Sequence, residues 1–510
     1  MSSMISLLKK IIAVVIVTLC ISGISFTVSA ESYISYTYDA YGEEVPAPVA
    51  YRTVGVLKDE LYDGKSLNAP EDCFVAQDGK IYICDTGNNR IVVLNEDFSL
   101  FKTVEGFTVA GGEPQFFKNP KGIFVTRDGD IYLCDTGNAR ILIADSNFEQ
   151  KKSPLLKPKS KLISDKTQFV PNKVAVDTAG NVYVVAFGIY QGLVSYNPNG
   201  EFIGFYGSNP VELKLSQRML IFWKELFTDE QENVMEQFIP VEFTNLCVDK
   251  DNCVYTVTQQ TESSQDEIKK LNALGNNVMR YDEENTLYPA NDFGDHGTVI
   301  ENNVQIDSRF EYIHVDFEGI ITALDTRRGR VFQYDQDGNL LFIFGGIGQQ
   351  EGIFAEPVAI EKLGTNYIVL DRVYGSVTVF EPTAYANTVR EALNLYNKGE
   401  YHQAQSLWED VLKVSNYSTL AYRGVGRCLL QRQKYSEALP YLKKAEDRIG
   451  YSEAFAEVRK EIIRNHLVII VVATVVGITV VAKLLGIILR YFGVLEAKQK
   501  RKWRRNNDCG

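Results

Sequence analysis

The segment at residues 81–94, IYICDTGNNRIVVL, returns fifty residues later as IYLCDTGNARILIA at residues 131–144. Each copy is a β-rich run, a polar Asp-Thr-Gly-Asn turn and an arginine that opens a second β-rich run. This pattern predicts a strand, a tight turn and a second strand. A proline and an Asp-Gly turn precede both copies at matching distances, at Pro70 and Asp78-Gly79 and again at Pro120 and Asp128-Gly129. The repeated unit therefore has three or more strands and a period near fifty residues.

This unit resembles the blade of NHL-repeat β-propellers, a family whose blades carry a similar proline, Asp-Gly turn and D-T-G-N-x-R turn. Inner strands of successive copies begin near Pro70, Pro120, Pro171, Glu242, Phe310 and Pro357. The fifth copy keeps the spacing of the first at Gly319, Asp325 and Arg330, whereas the sixth has Ser376 in the arginine position. The predicted fold is a mainly β, six-bladed NHL-like β-propeller.

The two ends of the propeller sequence are predicted to meet in one blade. Thr53 in Y-R-T-V precedes Pro70 by the same distance at which Thr103 in F-K-T-V precedes Pro120. The second of these segments is the expected outermost strand of blade 1. The first has no blade of its own before it, so it belongs to the last blade and closes the ring without an open sheet edge.

Two insertions interrupt the period. Residues 211–237 place Leu215, Met219, Phe222, Trp223 and Leu226 at helical spacing, which predicts an amphipathic helix. That helix either packs on the propeller or serves as a lid or partner-binding element. Residues 259–277 are polar and are predicted to be a surface loop with some helix. Removal of residues 259–274 is therefore expected to have little effect.

From Thr388 onward the pattern changes from strands to helices. Gly399, Tyr401, Ala404 and Trp408 recur at the same mutual spacing as Gln433, Tyr435, Ala438 and Leu442. The period and the small alanine suit close helix packing, and the segment resembles tetratricopeptide repeats. About two repeats fit, and residues 452–466 form a third helix.

Both ends of the chain carry apolar segments. Lys9 and Lys10, the following apolar run and Val28-Ser29-Ala30 are typical of a secretory signal. Residues 467–489 hold one charge, Lys483, and cover about 35 Å as a helix, enough to cross a bilayer. The predicted divisions are 1–30 signal peptide, 31–382 propeller, 383–465 tetratricopeptide-like repeats, 466–490 transmembrane helix and 491–510 basic tail. The whole resembles a bacterial surface protein with a membrane anchor.

Charge sets the expected topology and excludes one class of partner. Seven basic and two acidic residues follow the apolar segment, a local charge of +5, which places the tail in the cytoplasm and the bulk outside. The chain as a whole has a net charge of −12, so the part before the tail carries −17. Nucleic acid is therefore not an expected partner of that part, whereas the membrane and a neighbouring membrane protein are.

The resemblance places the D-T-G-N turns and the segments before the prolines on one face of the propeller. The candidate binding residues there are Tyr190, Asn88, Arg90, Asn138, Arg140, Arg327, Arg328, Arg330, Arg372 and Tyr374. An Asp and an Arg at this repeated spacing also satisfy the turn itself, because Asp accepts turn N–H groups and Arg pairs with the Asp. A structural role is therefore expected for the repeated pairs, and the non-repeating residues are the better functional candidates.

The cysteines allow two interpretations. Cys84 and Cys134 hold the same strand position in two blades, where a buried thiol fits. Cys247 and Cys253 flank a turn and could face each other as a hairpin disulfide, which an exported domain permits.

Enzyme classes with similar propellers can be tested by inspection. Amidating lyases bind zinc through histidines, and only His296 and His314 fall in the propeller, which excludes a three-histidine site. Gluconolactonase-type propellers gather Glu, Asn and Asp around a divalent cation, and no local motif places such a trio. No cofactor or metal is predicted. The predicted function is a membrane-anchored extracytoplasmic binding or scaffold protein for a protein, small-molecule or carbohydrate ligand, and the alternative is a cation-dependent hydrolase or lyase.

Overall fold

The computed structural model describes residues 32–39, 41–58, 64–109, 112–161, 163, 166–207, 242–258, 267–279, 293–295, 299–301, 304–306, 308–350 and 352–507. The predicted signal peptide and the predicted helix at 211–237 lie outside these ranges. Contacts divide the chain into two compact units. The first comprises Met1–Thr37, Glu43–Glu284 and Pro289–Asn387, and the second comprises Tyr38–Gly42, Asn285–Tyr288 and Thr388–Gly510.

Six antiparallel sheets, each built mainly from consecutive strands, form a six-bladed β-propeller in the first unit, as predicted. The strands up to blade 1 are β1 (Tyr36–Tyr38), β2 (Glu44–Pro46) and β3 (Tyr51–Leu57). Blade 1 comprises β4 (Asp72–Val75), β5 (Ile81–Asp85), β6 (Arg90–Leu94) and β7 (Leu100–Val104). After the short pair β8 (Gly106–Phe107) and β9 (Gln115–Phe116), blade 2 comprises β10 (Pro120–Val125), β11 (Ile131–Asp135), β12 (Arg140–Ala144) and β13 (Gln150–Leu155).

The remaining blades follow in chain order. Blade 3 comprises β14 (Val170–Val176), β15 (Val182–Phe187), β16 (Leu193–Tyr196) and β17 (Phe202–Tyr206). Blade 4 comprises β18 (Phe243–Val248), β19 (Val254–Thr258) and β20 (Ile268–Leu271), and the pair β21 (Val299–Glu301) and β22 (Val304–Ile306) follows it. Blade 5 comprises β23 (Phe310–Val315), β24 (Ile321–Asp325), β25 (Arg330–Tyr334) and β26 (Leu340–Gly345). Blade 6 comprises β27 (Pro357–Leu363), β28 (Asn366–Asp371), β29 (Ser376–Pro382) and the early strand β3.

Ring closure by the first long strand is confirmed. β3 pairs antiparallel with β29, with Tyr51 opposite Pro382 and Leu57 opposite Val377. The Tyr51 side chain is fully buried, with its ring centroid 4.5 Å from that of Phe344 in blade 5. The chain thus supplies blade 6 from both ends of the propeller sequence.

Blade 4 corrects one expectation. The sequence predicts a surface loop with some helix at residues 259–277, but Ile268–Leu271 is the third strand of this blade and pairs with β19. Ile268 and Leu271 are buried. Two lysines between them, Lys269 and Lys270, make the segment look polar in the sequence, although Lys269 is itself buried and Ile268 and Leu271 lie on opposite faces of the strand.

The core lies between adjacent blades. All five residues of β5 and all five of β6 are buried, and Cys84 and Ile91 pack in one cluster with Ile123 and Leu133 of blade 2. A strand that is covered on both faces consists of a near-continuous apolar run, which is why these repeats lack alternation. Cys84 and Cys134 are buried free thiols, as predicted.

The first strand of each blade lines a central channel, and in five of the blades its pairing begins irregularly. The register shifts at Pro120/Gly122, Pro171/Lys173, Phe243/Asn245, Phe310/Tyr312 and Pro357/Ala359. Such a bulge bends the strand and redirects the side chain after it. A Cβ on Gly122 would lie 2.3 Å from the backbone oxygen of Asn172, so only glycine permits blades 2 and 3 to approach this closely.

Two rings of residues result from this shared register. The inner ring holds the residues directly after the shift and their blade 1 equivalent, namely Asp72, Gly122, Lys173, Asn245, Tyr312 and Ala359. The outer ring lies two positions further along each strand and holds Phe74, Phe124, Ala175, Cys247, His314 and Glu361.

The second unit is helical. In the described part of the chain the α-helices are α1 (Ala384–Asn397), α2 (Tyr401–Val414), α3 (Thr419–Gln431), α4 (Tyr435–Lys444) and α5 (Arg448–Asn507). Glycines let α3 pack closely, since Cβ atoms on Gly424 and Gly426 would lie 2.5 Å from Trp408 and 2.6 Å from Leu442. Trp408 and Leu442 are equivalent residues of the helical period, so the repeated pattern marks the helix contacts.

The helix α5 is long and apolar enough to cross a membrane. Its backbone departs from helical geometry at His466, with φ −117° and ψ 15°. This break coincides with the predicted boundary between the third repeat helix and the apolar segment.

Candidate functional site

The repeated turns of blades 1 and 2 bind their own side chains. In blade 1, Asp85 Oδ2 accepts hydrogen bonds from Arg90 Nε at 2.5 Å and from Asn88 Nδ2 at 2.8 Å. Asp85 Oδ1 accepts from the backbone N–H of Asn68, in the segment before the proline. Blade 2 repeats the arrangement with Asp135, Asn138 and Arg140. Each D-T-G-N turn is thereby tied to the preceding connection.

Blade 5 departs from this arrangement. Arg330 Nη1 lies 2.5 Å from Asp295 Oδ2, and Arg328 Nη1 binds the same oxygen at 2.5 Å. Asp325 instead accepts the backbone N–H groups of Arg327 and Arg328 at 3.0 and 3.1 Å. Burial raises the pKa of Asp325 to about 6. The predicted pairing of Arg330 with Asp325 is therefore replaced by a pairing with Asp295, a residue of the connection between blades 4 and 5.

Two of the remaining predicted binding residues, Arg372 and Tyr374, also have partners within the propeller. Arg372 bridges Glu356 of its own blade at 2.5 Å and Glu71 of blade 1 at 2.6 Å. The Tyr374 hydroxyl donates to the backbone oxygen of Gly348 at 2.9 Å. Tyr190 lines a small cavity of about 10 Å³ beside Glu242. These intramolecular contacts account for many of the predicted polar groups, and a role of these residues in binding stays a prediction.

A large cavity lies at the other end of the channel. It measures about 1050 Å³ and is lined by the turns between the first and second strands of all six blades. Because adjacent strands are antiparallel, these turns are opposite the D-T-G-N turns, which join the second and third strands. None of the ten predicted binding residues lines this cavity.

A buried polar cluster from four blades forms the floor of the cavity. Lys173 Nζ lies 2.6 Å from Asp72 Oδ1 and donates to the Tyr312 hydroxyl at 2.8 Å. The same hydroxyl lies 2.9 Å from Asp72 Oδ1 and 3.1 Å from Glu361 Oε1. The second oxygen of Asp72 accepts the backbone N–H of Ile123, on the first strand of blade 2, at 2.9 Å.

Burial and the neighbouring charges both shift the pKa values of the residues in this cluster. Burial raises the pKa of Asp72, and the ammonium of Lys173 counteracts only part of that effect. Burial lowers the pKa of Lys173, but the charges of Asp72 and Glu361 outweigh it and leave the pKa above its usual value. Burial together with both carboxylates also raises the pKa of Tyr312 well above its usual value. Lys173 is therefore a fixed ammonium and Tyr312 a neutral phenol at physiological pH.

The outer ring has two contrasting halves. On one side His314 Nδ1 lies 3.2 Å from Glu361 Oε2. On the other side the rings of Phe74 and Phe124 lie 5.0 Å apart between centroids, at an angle of 54°. The cavity thus offers an apolar aromatic wall and a carboxylate–imidazole pair at the same depth.

The sequence contains a signal for these residues that motif comparison does not use. The D-T-G-N turn repeats, whereas the residues two and four positions after Pro70, Pro120, Pro171, Phe243, Phe310 and Pro357 vary among the blades, apart from the shared Phe74 and Phe124. In a propeller those positions face the channel, so reading them across the six copies gives the two rings. A residue that every blade repeats serves the fold, so the residues that vary among the blades are the better candidates for function.

The structure also shows the state of Cys247 and Cys253 and how the possible metal ligands are grouped. Cys247 and Cys253 are free thiols, because the register sets Tyr255, rather than Cys253, opposite Cys247. Cys247 lines the cavity, and burial raises its pKa to about 12. Among the described residues no three His, Cys, Asp or Glu side chains are grouped so that they could share a metal ion.

Comparison with known proteins returns propellers. No protein-family model matches the sequence, and no curated protein matches it. Solved structures similar to this chain include a virginiamycin B lyase from Staphylococcus aureus, with 11% identity, TM-score 0.40 and coverage of 65% of this chain and 99% of that one. A gluconolactonase from Xanthomonas campestris has 11% identity, TM-score 0.38 and coverage of 70% and 99%.

A protein of unknown function from Bacteroides thetaiotaomicron is a third similar structure, with 13% identity, TM-score 0.42 and coverage of 67% and 80%. The assignment of the fold rests on the sheet topology of this chain. The three similarities carry no argument about its activity.

Proposed function

We propose that this protein is a membrane-anchored extracytoplasmic binding protein whose NHL-like propeller takes a ligand into the central cavity. The observation that carries the proposal is the cavity of about 1050 Å³, close to the upper limit of the usual size of ligand pockets, with an aromatic wall and a few convergent polar groups at its floor. In this proposal α5 is the anchor, the basic tail is cytoplasmic and the tetratricopeptide-like helices bind a neighbouring membrane protein.

The test is native mass spectrometry of the full chain, purified from its own host in mild detergent. We expect a bound small molecule in the wild type and its loss when Phe74 and Phe124 are both changed to leucine. Phe101→Leu, on the exposed outer strand of blade 1, is the matched control and should retain the molecule. Equal occupancy in all three proteins would mean that the ligand binds elsewhere.

The topology has its own test. Protease added to intact cells should degrade the propeller and spare the basic tail, since the tail follows the positive-inside rule. A protected propeller would reverse the proposed orientation.

A second candidate is a hydrolase or lyase that acts in the same cavity. The His314–Glu361 pair favours it, because an imidazole oriented by a carboxylate is suited to general acid–base catalysis. Support for a divalent cation is weaker here, since Lys173 already neutralises Asp72 at the floor. Lactone turnover that requires calcium and survives His314→Gln would exclude the imidazole mechanism, whereas metal-independent turnover lost in that variant would support it.

A further inference from the structure

The floor of the central cavity presents hydrogen-bond acceptors in excess. Asn245 belongs to the inner ring, is buried, and its Oδ1 has no hydrogen-bond partner among the described residues. Glu361 contributes a carboxylate whose side chain is 7% exposed. The imidazole of His314 lies beside this carboxylate, with Nδ1 3.2 Å from Glu361 Oε2. Of these groups Glu361 lines the cavity, so a ligand that reaches the floor meets a carboxylate that requires a donor.

The cationic groups near the floor are already engaged. Lys173 is held by Asp72 at 2.6 Å and by the Tyr312 hydroxyl at 2.8 Å. Lys362 is paired with Asp316, also at 2.6 Å. An anionic ligand would have to break one of these buried pairs and leave a carboxylate unpaired, which is costly. The floor therefore disfavours anions.

The aromatic wall supplies a second feature that suits a cation. Phe74 and Phe124 are neighbours in the outer ring, and Phe74 lies in the blade next to that of Glu361. Aromatic faces attract an ammonium group within about 6 Å and also cover a flat apolar body. The cavity as a whole is lined by eight Asp or Glu and five Lys or Arg residues, a formal charge of −3. The charge of the Glu361 side chain and the net charge of the cavity lining are therefore both negative.

From these observations we infer that the central cavity selects a small organic cation, a protonated amine attached to a flat apolar body. The amine pairs with Glu361, and the apolar body lies against Phe74 and Phe124. This inference rests on the proposed binding function and names the chemical class of its ligand.

The experiment uses three probes with the same ring and different charge: benzylammonium, benzyl alcohol and benzoate. Their binding to the full-length protein in mild detergent is measured by isothermal titration calorimetry at low salt. We expect benzylammonium to bind about tenfold or more tightly than either of the others. Glu361→Gln should weaken benzylammonium about tenfold and leave benzyl alcohol nearly unchanged, whereas Glu201→Gln, at an exposed turn of blade 3, should change neither.

A second variant keeps the inference testable if Glu361→Gln disturbs the fold. Changing Phe74 and Phe124 together to leucine keeps the wall apolar and removes the aromatic faces, so benzylammonium should weaken more than benzyl alcohol. Benzoate binding as tightly as benzylammonium, or no binding of benzylammonium at millimolar concentration, would overturn the inference. If all three probes bind alike and lose affinity in the double variant, the cation preference fails while the proposed cavity binding stands.

Discussion

The guanidinium of Arg330 pairs with Asp295, 35 residues earlier in the chain, and not with Asp325, the aspartate that precedes it within the repeat. In blades 1 and 2 the equivalent arginines pair with the aspartates of their own turns. Arg330 of the fifth repeat thus pairs with Asp295 in place of Asp325. The buried carboxylate of Asp325 accepts backbone N–H groups.

This exchange predicts a pH-dependent stability that originates at Asp325 in blade 5. Burial raises the pKa of Asp325 from 3.8 to about 6, so the folded state keeps a proton that the unfolded state has lost. The resulting stability is present below pH 3.8 and is lost as the pH rises through about 6. Asp325→Asn removes this dependence, so its unfolding free energy should improve relative to the wild type by about 3 kcal/mol across that interval.

Urea unfolding of both proteins at a series of pH values measures the difference. Asp251→Asn, at an exposed turn of blade 4, is the control and should run parallel to the wild type. A constant difference between Asp325→Asn and the wild type would contradict the assignment.

Two of the predicted binding arginines should differ sharply in their effect on stability. The Arg90 side chain is 3% exposed, and its removal leaves the Asp85 carboxylate buried and without its cation. Arg90→Ala should therefore cost about 3–5 kcal/mol. Arg372 is about one-third exposed, so Arg372→Ala should cost about 1 kcal/mol or less, and less still at high salt. Thermal unfolding in low and high salt measures both, and equal costs would refute the distinction.

The helical unit contains a strained position that a single substitution should relieve. Gly399 and Gln433 hold equivalent places in the two helical repeats, with φ of +84° and +61°. Glycine adopts this left-handed conformation freely, whereas the conformation costs a residue with a Cβ about 1 kcal/mol. Gln433→Gly should therefore stabilise the helices by up to that amount, and Gly399→Ala should destabilise them. Far-ultraviolet circular dichroism during urea unfolding reports both, and shifts in the same direction would exclude strain as the cause.

The mouth of the cavity is spanned by side chains from opposite blades. Arg127 of blade 2 has its Cζ 6.0 Å from the ring centroid of Phe317 of blade 5, and both residues line the cavity. A positive charge at the entrance slows the approach of a cation. Arg127→Gln should therefore increase the association rate of benzylammonium severalfold at low salt, with a smaller gain at high salt.

Stopped-flow measurement of the association rate provides the comparison. Arg52→Gln, which removes an exposed charge at the outer edge of blade 6, is the control. If the two variants have the same rate, the mouth does not govern entry.

Ring closure should carry a large part of the stability of the propeller. Tyr51 is fully buried and its ring packs against Phe344 and Tyr367. Tyr51→Ala removes this contact at the seam and should cost about 3–5 kcal/mol. Deletion of residues 31–58 also removes the hydrogen-bond ladder to β29 and should lead to aggregation or a clearly lower melting temperature. Tyr417→Ala, in an exposed loop of the helical unit, is the control, and unchanged melting of Tyr51→Ala would contradict the role of the seam.

Sequence reasoning recovered the fold because the propeller repeats local patterns. The second and third strands with their D-T-G-N turn form one continuous segment, and the matching offsets of Thr53 and Thr103 predict closure by counting alone. The third strand of blade 4 was not predicted, because an insertion separates it from β19 and its lysines make the segment look polar despite the buried Ile268 and Leu271. The expectation that residues 259–274 can be removed with little effect is wrong for the same reason, since that segment contains β20.

The candidate site was less accessible to sequence reasoning. Asp72, Lys173, Tyr312 and Glu361 are neighbours in space but lie on four different blades, and no spacing rule links them. Arg330 shows the same limitation, because its partner is supplied by an insertion outside the repeat. Local patterns determine which residues form a blade, whereas the chemistry of the channel depends on contacts that only ring closure creates.

The pairing of β3 with β29 also sets the order of events during synthesis. Arg52 and Glu381, paired across the seam, are 329 residues apart, so at about 5–20 residues per second the first strand waits roughly 15–65 seconds for its partner to emerge. Throughout that interval Tyr51 has no pocket and blade 6 does not exist. A chain terminated anywhere before Ser376 therefore never completes the ring and retains an open strand edge. Chaperones and proteases that recognise unpaired strands can therefore distinguish such fragments from the finished protein.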